Sequence, residues 1–145
     1  MPPRKITQKR QDELDTVAEM RIALRRFAAA TDEVTRAHNL TPRQYDLLAL
    51  LHRQGGRGET TATDIAEQLG LSRSATTELL TRAAHAGLIT RQTHPSDMRL
   101  KPLAPTARGT ARFLAAVDDL RSDRNRLLDL LRAAAILATT LSSSV

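Results

Sequence analysis

Between Ala62 and Arg99 the apolar positions recur twice with a helical period and then with a strand period. Ile65, Ala66 and Leu69 share one face of a first short helix; Ala75, Leu79 and Ala83 share one face of a second, with Leu80 at its edge. Gly70 predicts the end of the first helix, because the left-handed residue that closes a helix is open to glycine without a Cβ clash. Leu71 is expected to fold back on that helix, and Ser72 to cap the next one through its hydroxyl. Gly87 predicts the second stop, with Leu88 as the apolar contact beyond it. Leu88, Ile89, Thr90 and Arg91 suit a strand, His94-Pro95-Ser96-Asp97 is turn chemistry, and Leu100 to Ala104 suit a returning strand. Pro102 has no N–H to give a ladder, so the returning strand should be a short edge. Two helices joined by Gly-Leu-Ser, followed directly by a hairpin, predict a winged helix-turn-helix.

The flanks are helical in pattern. From Asp12 to about His38 there is no Gly or Pro, and Leu14, Val17, Met20, Leu24, Phe27 and Val34 form one stripe beside a second of Ala18, Ile22 and Ala29. Such a helix is about 40 Å long, more than a small winged domain can cover, and its two stripes predict contact with a second copy of the chain. Asn39-Leu40 should break it. Thr41-Pro42-Arg43-Gln44 then combines a capping Thr, a Pro at the first helical position and a Gln three residues after the cap. Tyr45, Leu47, Leu48, Leu50 and Leu51 surround that helix with apolar side chains, so it should be buried. Arg53 to Thr60, with Gly55, Gly56 and Gly58, reads as loop, and Thr61-Ala62-Thr63-Asp64 resembles a capping box. Thr106 should cap a helix after the hairpin. Apolar positions then continue to Leu141, and the polar run Arg121 to Arg126 leaves open whether one helix or two follow.

These elements predict a mainly α fold: a winged helix-turn-helix with a small β-hairpin wing, and N- and C-terminal helices that form a dimerisation region. The expected divisions are a basic flexible arm over residues 1–11, carrying Arg4, Lys5, Lys9 and Arg10, and an N-terminal dimerisation helix over 12–38. The winged helix-turn-helix spans 39–105 and the C-terminal dimerisation helices 106–145.

Composition narrows the function. A chain of 145 residues with 41% apolar and 26% charged positions is globular and of single-domain length. It has no cysteine, hence no disulfide or thiol switch. No apolar run reaches the length of a membrane span, and MPPRKITQKRQ lacks the apolar core of a signal peptide, so a cytoplasmic location and no membrane contact are expected. With Phe27, Tyr45 and Phe113 as the whole aromatic set, stacking of single-stranded nucleic acid is disfavoured and duplex DNA is the better partner.

Charge points the same way. From Leu71 to Arg112 seven basic residues (Arg73, Arg82, Arg91, Arg99, Lys101, Arg108, Arg112) stand against Glu78 and Asp97, a local net charge of +5 within the chain's +6. An excess confined to the second motif helix, the wing and the helix after it is the footprint of a surface that displaces counterions from phosphate. The scattered histidines His38, His52, His85 and His94 have no metal-ligand spacing, and no serine sits in a nucleophile-elbow context. An enzyme, a cofactor and a metal site are therefore not expected. A metal-sensing regulator of the same fold, or a winged-helix module for protein contact, are the alternatives.

The chain resembles the MarR family of transcriptional regulators from about Asp12 to Leu131. Three segments carry the resemblance: LTPRQYDLLALL (Leu40 to Leu51), IAEQLGLSRSATTELLTRAAHAGLITR (Ile65 to Arg91) and HPSDMRLKPLAPTARG (His94 to Gly109), with Asp97-Met98-Arg99 matching the family's Asp-x-Arg wing. The resemblance implies a homodimer with interlocked terminal helices, its two motif helices in successive major grooves and its wings at minor grooves. It implies that Ser72, Arg73, Ser74, Thr76 and Thr77 begin the recognition helix, with Arg73 able to reach guanine O6 and N7. Arg82, Arg91 and Lys101 join them as DNA-binding residues. Asp97 holds the wing hairpin, and Arg99 suits the concentrated negative potential of a narrow minor groove. It further implies a repressor released by a small-molecule effector of unknown identity. Glu78 departs from the family pattern: a carboxylate near phosphate is unfavourable unless it pairs with Arg82 or accepts from cytosine N4.

Overall fold

The computed structural model describes residues 6–53, 60–91 and 102–142. Its elements follow in the order α1 (Gln8–Ala37), α2 (Pro42–Arg53), α3 (Ala62–Leu69), α4 (Arg73–His85), β1 (Ile89–Arg91), β2 (Leu103–Pro105), α5 (Ala107–Asp119) and α6 (Arg121–Ser142). They divide into two compact units: Asp32–Asp119, and the described parts of Met1–Thr31 with Leu120–Val145.

The larger unit is built around one apolar core. Leu47, Leu48 and Leu51 of α2, Ile65 of α3, Leu79, Leu80 and Ala83 of α4, Leu88, Ile89 and Leu103 of the hairpin, and Phe113 of α5 are all buried in it. Helix α2 starts with the expected reciprocal cap: the Gln44 N–H donates to Thr41 Oγ1 at 3.2 Å and the Thr41 N–H to Gln44 Oε1 at 3.0 Å. Phe113 stacks on His52, with ring centroids 4.9 Å apart, and lies 5.1 Å from Tyr45. His52, half-buried, also bonds the Leu48 carbonyl through Nδ1 at 2.8 Å.

Three helices of this unit stop in the same way. Asn39 (φ 54°), Gly70 (φ 63°) and Gly87 (φ 69°) are left-handed, and each is followed by a leucine whose N–H reaches five residues back. The bonds are Leu40 to Thr35, Leu71 to Ala66 and Leu88 to Ala83, each 2.9 Å. This double closure satisfies carbonyls that a helix end leaves open, and it turns the leucine inward. Leu40 and Leu88 are buried, and Leu71 packs against the core from its edge.

The hairpin is antiparallel, with Ile89 opposite Pro105, Thr90 opposite Ala104 and Arg91 opposite Leu103. The returning strand starts at Leu103, after Pro102, and ends on Pro105, as a short edge strand tolerates. The Leu103 N–H donates to the Thr60 carbonyl at 2.8 Å. The wing tip, with its turn at His94 to Asp97, and the glycine loop at 54–59 lie outside the described residues.

Several expected boundaries shift. Helix α1 begins at Gln8, so the end of the expected flexible arm is helical. Gln8 and Gln11 bond Asp12 and Asp15 one turn on, and Arg10 pairs with Glu13 at 2.8 Å. The helices after the wing separate at Leu120, before the polar run, which becomes the start of α6. Helix α5, grouped by sequence with the dimerisation segment, belongs to the winged unit through buried Gly109, Phe113 and Ala116. Leu80 is fully buried instead of lying at the edge of its face, while Ala75 takes the edge.

The smaller unit has a different character. Leu14, Val17, Ile22 and Leu24 of α1 and Leu128, Leu131, Ile136 and Leu137 of α6 are exposed, and no described residue of α6 is buried. A cleft of about 400 Å³ runs between the two helices, floored by Ile22, Ala23, Phe27, Leu127 and Leu130.

The tightest contact of the winged unit is between backbones. The Thr106 N–H donates to the Leu88 carbonyl at 2.9 Å and its hydroxyl to the Gly87 carbonyl at 2.5 Å, while the same hydroxyl accepts from the Gly109 N–H at 2.9 Å. A Cβ on Gly109 would stand 2.1 Å from the Leu88 oxygen. Gly109→Ala is therefore expected to destabilise the fold by about 1–3 kcal/mol, toward the upper end because the obstacle is backbone. Urea denaturation checks this: a midpoint equal to wild type would mean that α5 can move away at no cost.

Candidate nucleic-acid interface

The helix-turn-helix consists of α3, the turn Gly70-Leu71-Ser72 and α4. Its first helix is fixed by a capping box: Thr61 Oγ1 accepts from the Asp64 N–H at 3.4 Å, and Asp64 Oδ2 accepts from the Thr61 N–H at 2.7 Å. The backbone bond from Thr61 holds the Asp64 carboxyl below its ordinary pKa, helped by the Thr61 hydroxyl and opposed by slight desolvation. Ser72 Oγ accepts from the Ala75 N–H at 3.2 Å and caps α4. Both caps agree with the sequence, because the oxygen that satisfies a free amide is supplied within one turn.

On α4 the buried face is formed by Thr76, Leu79, Leu80 and Ala83. The opposite side exposes Ser72, Arg73, Ser74, Thr77, Glu78, Thr81, Arg82 and His85. Thr76 is the correction among the expected contact residues. It is 3% exposed, and its hydroxyl donates to the Ser72 carbonyl at 2.9 Å, so it packs inward with its polar group satisfied. The pattern Ala75-Leu79-Ala83 places the apolar face roughly a seventh of a turn from where it lies, and a threonine that bonds its own helix can be buried in place of an apolar residue. Thr77 makes the corresponding bond to the Arg73 carbonyl at 3.0 Å, but its side chain stays exposed, leaving oxygen lone pairs to an incoming donor. Thr81 and His85 extend the outer face and were not singled out by sequence; their spacing from Ser74 and Glu78, three to four residues at a time, is the signal that would have found them.

Glu78 and Arg82 form an ion pair of 2.6 Å, one helical turn apart, on this exposed surface. Arg91 is exposed at the end of β1. Arg99, Lys101 and the wing-structuring Asp97 lie outside the described residues. Beside α4, a cleft of about 680 Å³ is bordered by Asp32, by Arg43 and Gln44 at the start of α2, and by Ala75, Leu79 and Arg82. Near it the Asp46 pKa is raised from its ordinary value: desolvation raises it, Arg43 lowers it and Asp32 raises it.

Of the histidines, His38 Nε2 is 2.7 Å from Asp119 Oδ2, His52 is half-buried against Phe113 and His85 is on the outer face of α4. Among the described residues no three His, Cys, Asp or Glu side chains come together as metal ligands would. Nor is any described helix long and apolar enough to cross a membrane. The arrangement offers hydroxyls, guanidinium groups and one carboxylate along a convex helix, which is recognition chemistry.

Residues 38–100 match the model of the MarR family. No curated protein sequence matches the chain. Among solved structures, a mutant of S. aureus MepR is similar with a TM-score of 0.70 at 23% identity, over 88% of this chain and 96% of that one. YusO from Bacillus subtilis gives 0.65 at 23% identity, over 93% and 97%. The S. aureus MepR–DNA complex gives 0.61 at 24% identity, over 85% and 95%. At these identities the likeness is one of fold, and it extends over nearly the whole chain.

The capping box makes the helix-turn-helix sensitive to acid. Because the folded-state pKa of Asp64 is depressed, its contribution is complete above the unfolded carboxyl value of about 4 and is lost as pH falls through the lower folded value. Asp64→Asn is expected to remove that part of the stability difference between neutral and acid pH. Thermal melts of both proteins across this range provide the check, and parallel pH profiles would show that the carboxylate contributes nothing.

Proposed function

We propose that the chain, whose residues 38–100 match the model of the MarR family, is a sequence-specific, duplex-DNA-binding transcriptional regulator of that family. It acts in the cytoplasm as a homodimer on an inverted-repeat operator, and it is a repressor released by a small molecule. The observation that carries this reading is the exposed face of α4, where Ser72, Arg73, Ser74 and Thr77 stand together ahead of Arg82. They follow a rigid, doubly capped turn. In the proposed complex α4 enters the major groove, Arg73 reaches guanine or phosphate, and the short hydroxyls bond phosphates and base edges. Arg91 follows at the end of β1; Arg99, proposed for the minor groove, and Lys101, proposed as a further DNA-binding residue, lie outside the described residues.

Dimerisation has its own support. A unit whose α6 buries no side chain among the described residues, and whose exposed apolar residues include Val17, Ile22, Ile136 and Leu137, does not close a core alone. A second copy with the same stripes covers both, as a self-complementary two-fold contact requires. The effector works by population shift: it must bind best to the conformer in which the two recognition helices have the wrong spacing, or DNA affinity would not fall. The cleft beside α4 supplies the room, next to Arg82 on one side and Arg43 on the other.

MarR-family proteins are transcription regulators rather than enzymes, and the reading is tested by binding. Arg73→Ala should weaken operator binding by about 1–3 kcal/mol while leaving the melting temperature unchanged. For the wild type, the logarithm of affinity should fall steeply with the logarithm of salt, by about one unit per neutralised phosphate. Affinity that is flat in salt, or equal for wild type and variant in a titration at fixed salt, would point to a protein-contact module instead. Independently, Val17→Glu with Ile136→Glu should convert the dimer to monomer in analytical ultracentrifugation and abolish binding to a full palindrome. A double variant that still sediments as a dimer would move the seam off these helices.

A further inference from the structure

Glu78 is the one acidic residue of α4, and it sits among hydroxyls and guanidinium groups on a face proposed to meet a polyanion. Its side chain is 61% exposed, and its partner Arg82 is 74% exposed. An ion pair that wet contributes little to folding, and Glu78 lies away from the Thr76, Leu79, Leu80 and Ala83 side that builds the core. The fold therefore has little use for a carboxylate at this position.

The chemistry of the major groove gives it one. A carboxylate only accepts hydrogen bonds. Guanine offers O6 and N7, both acceptors, and thymine offers O4 and a methyl group; all of these repel or exclude it. The donors are cytosine N4 and adenine N6. Adenine places the N7 lone pairs next to its amino group, where the second carboxylate oxygen would meet them, whereas cytosine has a C–H at the neighbouring position. Arg82 completes the device. Held 2.6 Å from the carboxylate one turn on, it offsets the repulsion between Glu78 and nearby phosphates and restricts the directions in which the carboxylate points.

Resting on the duplex-DNA reading of α4, we propose that Glu78 is a specificity-determining residue that selects cytosine at one position of each operator half-site, with Arg82 as its positioning counter-charge. The test is selection from randomised duplexes by the full-length protein, sequenced for wild type, Glu78→Gln and Arg82→Ala. Wild type is expected to enrich an inverted repeat with cytosine at one symmetric position. Glu78→Gln should lose that preference by about tenfold and gain adenine there, because an amide can bond N6 and N7 together. Arg82→Ala should weaken binding to all duplexes and blunt the cytosine preference without replacing it by another base. If Glu78→Gln enriches the same base frequencies as wild type at every position, or if Arg82→Ala alone shifts the base, the proposal is overturned while the DNA reading stands. If wild type enriches no duplex at all, the DNA reading itself falls, and the proposal with it.

Discussion

The orientation of the helix-turn-helix depends on a backbone junction where side chains have almost no room. At Gly87 and Leu88, helix α4 ends, β1 begins, and the start of α5 returns to within van der Waals contact. Thr106 bonds both carbonyls of that corner, and Gly109 lies so close to the Leu88 oxygen that a methyl group would not fit. This single junction ties the recognition helix to the strand that leads into the wing and to the helix that leaves it. Hydrogen bonds between rigid backbones hold direction better than apolar contact alone, since dispersion and burial are non-directional. The outward face of α4 therefore inherits its aim from residues that never approach the outside.

The three helix stops serve the same end by repetition. A left-handed residue followed by leucine closes α1, α3 and α4 in turn, and each closure sends its leucine toward the core that α2 fills. Chain direction and burial are thus set by the same dipeptide. Where α3 passes to α4, only Leu71 and Ser72 separate Gly70 from the next helix, so the closure of one element is followed at once by the cap of the other. A turn so short leaves the two helices few relative orientations.

Around this frame the two units differ in how much apolar surface they leave exposed. The winged unit buries most of its described leucines, Leu114 on α5 being exposed, and presents guanidinium groups and hydroxyls on α4. The helical unit leaves leucine, valine and isoleucine side chains uncovered on both of its helices. The proposed contacts, a polyanion at α4 and a second copy of the chain at the helical unit, would draw on this difference in exposed apolar surface.

Much of this was legible along the chain. The caps at Thr41, Thr61 and Ser72, and the stops at Asn39, Gly70 and Gly87, are local chemistry, decided by oxygens and backbone angles within a few residues, so spacing alone identified them. The same holds for the order of elements and for the pairing of Glu78 with Arg82, which needs only one helical turn. Tertiary structure decided what depends on neighbours distant in sequence. Thr76 turned inward because its own helix satisfied its hydroxyl and the core accepted the methyl group. The helix after the wing joined the winged unit because Gly109 permits a backbone contact that no periodicity encodes. A period can say that a face is apolar, but which surface covers it depends on packing between segments far apart in the chain, and that is a property of the fold as a whole.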